Sequence, residues 1–262
     1  MGVTVRPPVI DVALRPTDAR ATDVAIVIDV LRATSTVTQA LASGYEQVLC
    51  VESVERAQTL RGAGRVLAGE RSCMKPEGFD HGNSPAEALA PAGRELVLAT
   101  TNGTPAVTNA GEHAGTVLLA CLLNLDATVD AILEHIAAGE LDVQVVCAGT
   151  NGAVSLEDAY VAGRISRRLP GSRTDAAVMA ERVARAFRTP LEALCAGAAA
   201  RALEAAGLGD DIAFCAQESL LGVVPIVGRV DAGTAIVTLE LSGGDRAHRA
   251  TPALEPRHAR TR

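Results

Sequence analysis

The feature that most constrains the fold is a β-strand that passes directly into a helix near the start of the chain. Residues 25–28, Ala-Ile-Val-Ile, form an apolar run that is long enough for a buried strand and too short for a helix. Val37, Ala40 and Leu41 follow at helical spacing, and Gly44 closes the helix. Because similar strand–turn–helix units recur along the chain, we expect an α/β fold with a largely parallel, helix-covered sheet.

The turn between this strand and this helix is rich in polar side chains. It contains the carboxylate of Asp29, the guanidinium of Arg32 and the hydroxyls of Thr34, Ser35 and Thr36. In α/β proteins ligands bind at the carboxyl ends of strands, and helix N–H groups there can hold an anion. Asp29 cannot itself bind phosphate, but it can hold a metal ion or attack phosphorus. The structural alternative is that Thr34 or Ser35 caps the helix and Asp29 pairs with Arg32.

Three further predicted strands end in polar turns, around Glu70, Thr101 and Thr150. If all the strands are parallel, these turns and the turn at Asp29 open onto one edge of the sheet, which suggests a ligand with several oxygens. The segment 69–85 has neither helical nor strand periodicity. Loops of this length are usually functional or disordered, and the many charged and amide groups here favour function.

These turns supply both signs of charge. The cations available to bind an anion are Arg32, Arg71 and Lys75. The carboxylates that could hold a hard divalent cation such as Mg²⁺ are Asp29, Glu70, Glu77, Asp80, Glu157 and Asp158. Structural alternatives stay open for two groups: Glu157 and Asp158 follow Ser155 and could complete a helix cap, and Asn102-Gly103 could be a simple turn.

Composition excludes several classes of protein. The net charge of −7, the 2% aromatic content and the absence of Trp disfavour nucleic-acid binding. No apolar run reaches about 18 residues, and the N-terminus lacks the uninterrupted apolar core of a signal peptide, so we expect no membrane span and a cytoplasmic location. The six cysteines form no C-x-x-C pair, which disfavours a zinc site.

Common catalytic motifs are also missing from the sequence. It contains no G-x-x-x-x-G-K-[ST] phosphate loop, no G-x-G-x-x-G after the first strand and no G-x-S-x-G nucleophile elbow. Cys147 precedes a glycine-containing turn, but that turn has no arginine to bind a phosphoryl group. A cysteine-based phosphatase is therefore disfavoured.

The C-terminal part predicts a hairpin and then a tail. Residues 223–230 and 235–241 could pair around Asp231-Ala232-Gly233 and close the sheet with an antiparallel edge, which is compatible with a homodimer. We expect residues 1–243 to form one domain or two closely packed lobes. Residues 244–262 carry five arginines and two acidic residues, and we expect a disordered basic tail.

Taken together, several segments resemble the 2-phosphosulfolactate phosphatase family, also called ComB-like proteins. They occur in order between residues 24 and 227: VIDVLRATST, GERSCMKPEGFDHGNSP, TTNGT, LLN at 122–124, CAGTNG followed by SLEDA, DDIAFCAQ and VVPIV. The resemblance implies a three-layer α/β/α fold with a largely parallel or mixed sheet. It also implies a Mg²⁺-dependent phosphatase that converts 2-phospho-3-sulfolactate to 3-sulfolactate for coenzyme M synthesis.

The resemblance also suggests roles for individual residues. Asp29 would be the central carboxylate, as Mg²⁺ ligand or nucleophile, and Glu70 or Asp158 would complete the metal site. The phosphate and sulfonate groups would be bound by Arg32, Arg71 and Lys75. Further substrate contacts would come from Thr34, Ser35, Asn83, Thr101, Asn102, Thr104, Asn124 and Thr150.

Two other functions are compatible with the sequence. The chain could be a phosphatase for another small phosphorylated acid. It could also be a non-catalytic anion-binding or regulatory protein of the same fold, although pure anion binding has no need of Asp29 and Glu70. Stabilisation by Mg²⁺ would separate a metal-dependent phosphatase from a simple anion pocket.

Overall fold

The computed structural model describes residues 6–240, and the predicted tail at 244–262 lies outside the described residues. These residues form an α/β protein in three layers, with helices on both faces of one mixed sheet. The predicted fold class is thereby confirmed. No helix within residues 6–240 is long and apolar enough to cross a membrane.

The described part of the chain contains ten strands. They are β1 (Val9–Ala13), β2 (Thr22–Ile28), β3 (Gln47–Val51), β4 (Arg65–Gly69), β5 (Glu95–Ala99), β6 (Ala114–Ala120), β7 (Asp142–Cys147), β8 (Ser172–Arg173), β9 (Pro225–Asp231) and β10 (Thr234–Leu239). The α-helices between them are α1 (Ala33–Ala42), α2 (Val54–Thr59), α3 (Gly103–His113), α4 (Leu125–Ala137), α5 (Leu156–Ser166), α6 (Asp175–Ala186), α7 (Pro190–Ala196), α8 (Ala198–Ala205) and α9 (Asp210–Cys215).

The sheet has the strand order β4-β5-β3-β10-β9-β6-β2-β7-β1-β8. Strands β4, β5 and β3 form one parallel block, and β6, β2, β7, β1 and β8 form another. The hairpin β9–β10 lies between the blocks and pairs antiparallel with β6 on one side and β3 on the other. The two blocks therefore run in opposite directions across the sheet.

This topology corrects two predictions. The hairpin forms where the sequence predicts it, but it lies inside the sheet and not at an edge, because both of its strands find partners in the flanking blocks. The argument for a homodimer from an exposed hairpin is lost, since β4 and β8 are the edge strands. The second correction concerns the polar turns: those after β2 and β7 belong to one block and those after β4 and β5 to the other, so they do not lie at one edge of a parallel sheet.

The core lies on both faces of the sheet, as the alternation within β2 illustrates. Ile26 and Ile28 are buried with residues of α4–α9 on one face. Ala25 and Val27 are buried with residues of α1 and α3 on the other. The burial of both faces explains why β2 reads as a continuous apolar run.

The long loop after β4 is tied back to the strand that precedes it. A carboxylate oxygen of Asp80 accepts the N–H of Leu67 at 2.8 Å, and the N–H groups of Asp80 and His81 both donate to the Leu67 carbonyl. Phe79 is buried against β3, β4 and β5. These contacts fix the path of the loop and so place Cys73 and Asn83 beside Asp29.

Candidate active site

Asp29 follows β2 and is held in place by the first turn of α1. The Thr34 hydroxyl donates to the Asp29 carbonyl at 2.9 Å and accepts the Asp29 N–H at 3.1 Å. One carboxylate oxygen, Oδ1, accepts the N–H of Ala33 at 3.3 Å. Within residues 6–240 the hydrogen bond from Ala33 is the only one that the carboxylate accepts, and the other oxygen, Oδ2, lies against Gly103. Asp29 therefore has a fixed backbone and one free carboxylate oxygen.

The surroundings of Asp29 favour its protonated form. Burial raises the pKa of Asp29 to about 7, and the negative charges of Glu70 and Glu157 add to the effect. The N–H of Ala33 and the charge of Arg32 act in the opposite direction. A carboxyl group with such a pKa in a buried site is a functional candidate on physical grounds.

Asp158 lies behind this site and holds two strand ends together. Its two carboxylate oxygens accept the N–H of Val30 at 3.0 Å and that of Gly149 at 3.1 Å, just beyond β2 and β7. Burial, together with the charges of Asp29 and Glu157, raises the pKa of Asp158 well above its ordinary value. The predicted cap is also present, because the Ser155 hydroxyl accepts the Asp158 N–H.

Glu70 makes an equivalent connection on the other side. Its two carboxylate oxygens accept the N–H of Thr101 at 2.8 Å and that of Cys73 at 3.0 Å. Glu70 thus joins the loop after β4 to the turn after β5. Both Glu70 and Asp158 position the backbone around Asp29.

Arg32 is the cation at this site, and its partner is Asp211 on α9. Guanidinium Nη1 donates to Asp211 Oδ2 at 2.6 Å, while the Ser84 hydroxyl donates to Asp211 Oδ1 at 2.6 Å. Arg32 also lies 3.4 Å from the Cys73 carbonyl. The sequence analysis did not identify Asp211, although its segment DDIAFCAQ contributed to the family resemblance.

The turns from the two opposed blocks meet at the first turns of α1 and α3, which lie on the same face of the sheet. A Cβ at Gly103 would overlap both the Cβ of Ala33 and Oδ2 of Asp29. The neighbouring Asn102 side-chain oxygen accepts the N–H of Asn151 at 2.9 Å, which links the turn after β5 to the turn after β7. Gly103 is therefore required for this close approach, a stronger role than the simple turn considered from sequence.

A cavity of about 80 Å³ lies above the Asp29 carboxylate. Six predicted site residues line it: Asp29, Arg32, Glu70, Asn83, Asn102 and Thr150. The lining also contains apolar side chains, from Leu31 and from Ala199, Ala202 and Leu203 of α8. The sequence analysis missed α8, because an alanine-rich helix carries no sign of chemistry.

Asp158 and seven other predicted residues do not line this cavity. Thr34, Ser35, Thr104 and Asn124 are buried, and their side chains hydrogen-bond to nearby backbone groups. The Arg71 guanidinium donates to the carbonyls of Glu70 and Glu52. The exposed Lys75 ammonium lies 3.4 Å from the Asp80 carbonyl. Thr101 is exposed and lines a neighbouring cavity of about 390 Å³ that shares Asn102.

Cys147 is not available as a nucleophile. Burial raises the pKa of its thiol well above 9.0, and the charges of Asp158 and Glu157 add to this effect. The thiolate is the nucleophilic form of cysteine, so this environment suppresses its reactivity. The structure thus agrees with the sequence in disfavouring a cysteine-based phosphatase.

The oxygen-rich site suits a hard cation better than a soft metal. Within residues 6–240 no group of three or more His, Cys, Asp or Glu side chains forms a ready metal cage. Mg²⁺ does not need one, because it commonly binds through one or two carboxylates, substrate phosphate oxygens and water. A free oxygen of Asp29 beside further carboxylates fits that mode of binding.

The comparisons with known proteins point to one family. A family model described as 2-phosphosulpholactate phosphatase matches residues 11–229. A probable 2-phosphosulfolactate phosphatase of Thermus thermophilus is 42% identical over 215 residues, which cover 79% of this chain and 90% of the relative. Probable 2-phosphosulfolactate phosphatases of Thermotoga maritima and Deinococcus radiodurans are each 38% identical; the matches cover 82% and 79% of this chain and 94% and 89% of those relatives.

Proposed function

We propose that this chain, which belongs to the 2-phosphosulfolactate phosphatase family and is a phosphoric monoester hydrolase, converts 2-phospho-3-sulfolactate to 3-sulfolactate and phosphate. The observation that carries this proposal is the free oxygen of Asp29 at the base of a small cavity whose wall also contains Arg32. The cavity of about 80 Å³ has room for a phosphoryl group.

We also propose that turnover requires Mg²⁺. The acidic groups around the cavity are Asp29, Glu70, Glu157 and Asp158, whereas the charge of Arg32 is already balanced by Asp211. A phosphate monoester would be repelled by this excess of negative charge. A bound divalent cation would neutralise it and polarise the phosphoryl group.

The protein residues then have separate tasks. Asp29 presents its free oxygen to the cation, and Arg32 binds a phosphoryl oxygen from the cavity wall. The apolar surface of Ala199, Ala202 and Leu203 excludes water, which strengthens these electrostatic interactions. The rest of the substrate would extend past Asn102 into the larger neighbouring cavity.

Phosphate release from a panel of small phosphorylated acids tests the proposal. The panel contains 2-phosphosulfolactate, phospholactate and phosphoglycerate, each with Mg²⁺ and with EDTA. We expect Mg²⁺-dependent release and a preference for the sulfonated substrate.

The other outcomes are also informative. Release from phospholactate or phosphoglycerate alone would support phosphatase activity but rule out 2-phospho-3-sulfolactate as the substrate. Equal rates with Mg²⁺ and with EDTA would rule out the metal requirement. No release from any member of the panel, together with no Mg²⁺ binding, would favour a non-catalytic anion-binding protein.

A further inference from the structure

We infer that the divalent cation is held by Asp29 together with Glu157 and Asn83, and not by the predicted partners Glu70 and Asp158. This inference rests on the proposed Mg²⁺ dependence and names the residues that provide it. Its basis is that some carboxylate and amide oxygens at the site already accept hydrogen bonds, whereas others accept none.

Glu70 and Asp158 already use both of their carboxylate oxygens. Each oxygen accepts one backbone N–H, from Thr101 and Cys73 for Glu70, and from Val30 and Gly149 for Asp158. Four backbone N–H groups would lose these partners if the two carboxylates turned towards a cation. Leaving backbone donors without partners is unfavourable, so both carboxylates are expected to keep these hydrogen bonds.

Three other oxygens at the site have no donor within residues 6–240. Oε2 of Glu157 and Oδ1 of Asn83 are buried without a partner, and Oδ2 of Asp29 accepts no hydrogen bond, since the Ala33 N–H donates to Oδ1. Glu157 and Asn83 are each only 3% exposed, so water does not satisfy them freely. Buried polar atoms are nearly always paired, and two such atoms at one site indicate a missing partner.

The three residues are linked through the cavity. Asn83 lines the same cavity as Asp29, and Oε2 of Glu157 lies against Gly197 at the start of α8, the helix that lines this cavity. All three atoms are carboxylate or amide oxygens, which are the protein ligands that hard divalent cations prefer. A proton or an anion could not satisfy three acceptors at once.

Glycines leave space beside the two carboxylate oxygens. A Cβ at Gly103 would overlap Oδ2 of Asp29, and a Cβ at Gly197, between α7 and α8, would overlap Oε2 of Glu157. The apolar wall of α8 begins immediately after Gly197. Two unrelated segments thus lack a side chain at the positions where it would block the free oxygens.

Binding of Mg²⁺ alone, without substrate, tests the assignment. The binding constant is measured by titration calorimetry, and the rise in unfolding temperature with Mg²⁺ is measured in parallel. In E157Q we expect the affinity to fall by about tenfold or more and the thermal stabilisation to be lost. N83A should show a smaller loss, and the control is E77Q, which changes an exposed carboxylate outside the cavity and should bind within about threefold of wild type.

The outcomes separate this inference from the proposed function. Wild-type affinity in both E157Q and N83A would overturn the ligand assignment while leaving Mg²⁺ dependence intact. Loss of binding in E70Q alone, measured in the same way, would also overturn it and return the role to Glu70. If the wild-type protein bound no Mg²⁺, this inference and the metal requirement would both fail, while phosphate release would still test the phosphatase activity.

Discussion

Arg32 and Asp211 are joined by a buried ion pair between residues 179 positions apart in the chain. The guanidinium and the carboxylate are 2.6 Å apart, and their side chains are only 3% and 7% exposed. The pair connects the turn before α1 to α9. The ion pair fixes the position of Arg32, the one cationic side chain within residues 6–240 that lines the cavity.

The first prediction concerns this pair. Asp211→Ala should lower the free energy of unfolding by about 3 kcal/mol or more, because it leaves Arg32 charged and buried without its partner. It should also lower kcat/KM, because Arg32 loses its fixed position. Urea unfolding and steady-state kinetics measure the two effects. The matched control is Asp210→Ala, which removes the exposed neighbouring carboxylate and should change stability by less than about 0.5 kcal/mol; equal effects in both variants would contradict the role of the pair.

A second prediction follows from the contact between Gly103 and Asp29. Gly103→Ala places a methyl group where Ala33 and the Asp29 carboxylate lie, so the two first turns must separate. We expect a loss of about 1–3 kcal/mol in the free energy of unfolding and a marked fall in kcat. Gly222→Ala is the control, because a Cβ there meets no atom within 4 Å. Wild-type kcat in Gly103→Ala would show that the contact has no part in the site.

The third prediction concerns pH and the metal-free protein. Burial raises the pKa of Asp29 from an ordinary value of 3.8 to about 7. Between these values the folded protein keeps a proton that the unfolded chain has released. The free energy of unfolding should therefore fall as pH rises through this window, with the change complete above about pH 7.

Asp29→Asn provides the comparison, because its amide cannot ionise. From pH 5 to pH 8 in EDTA, the wild-type protein should lose about 2.6 kcal/mol more stability than the variant, since one pKa unit corresponds to roughly 1.4 kcal/mol. Urea unfolding at several pH values measures the difference. Parallel pH profiles for the two proteins would mean that Asp29 ionises normally in the folded state.

A fourth prediction separates Arg32 from Lys75, which the sequence analysis grouped together. Lys75 is exposed and does not line the cavity, whereas Arg32 does. Lys75→Ala should change kcat/KM by less than about threefold, and Arg32→Met by about a hundredfold or more, since electrostatic contacts to a reacting group have effects of that size. A large loss in Lys75→Ala would restore the role suggested by the family resemblance.

Local sequence patterns predicted most of the elements because those patterns depend on short-range physics. The predicted strand at 25–28 ends with β2 at Ile28, and the cap at Ser155 forms as expected. The position of the hairpin was wrong, because the same alternation of residues suits an edge strand or an inner antiparallel strand. Only long-range pairing with β3 and β6 decides between them.

The site was predictable to a similar extent. Asp29, Arg32, Glu70, Asn83, Asn102 and Thr150 do come together, although their turns belong to two opposed blocks and not to one edge of a parallel sheet. The pairing of Arg32 with Asp211 could not be foreseen, because nothing local links residues so far apart. The free oxygen of Glu157 could not be predicted either, since a glutamate in the first turn of a helix usually has a structural role.

The most direct test of the account is the rate of phosphate release from 2-phospho-3-sulfolactate by Asp29→Asn at saturating Mg²⁺. With the fold verified by circular dichroism, we expect a loss of about a thousandfold or more, because the variant lacks the charged oxygen at the base of the cavity. The wild-type protein in the same buffer should lose its activity when EDTA is added. Near-normal turnover by the folded variant would contradict the central role of Asp29.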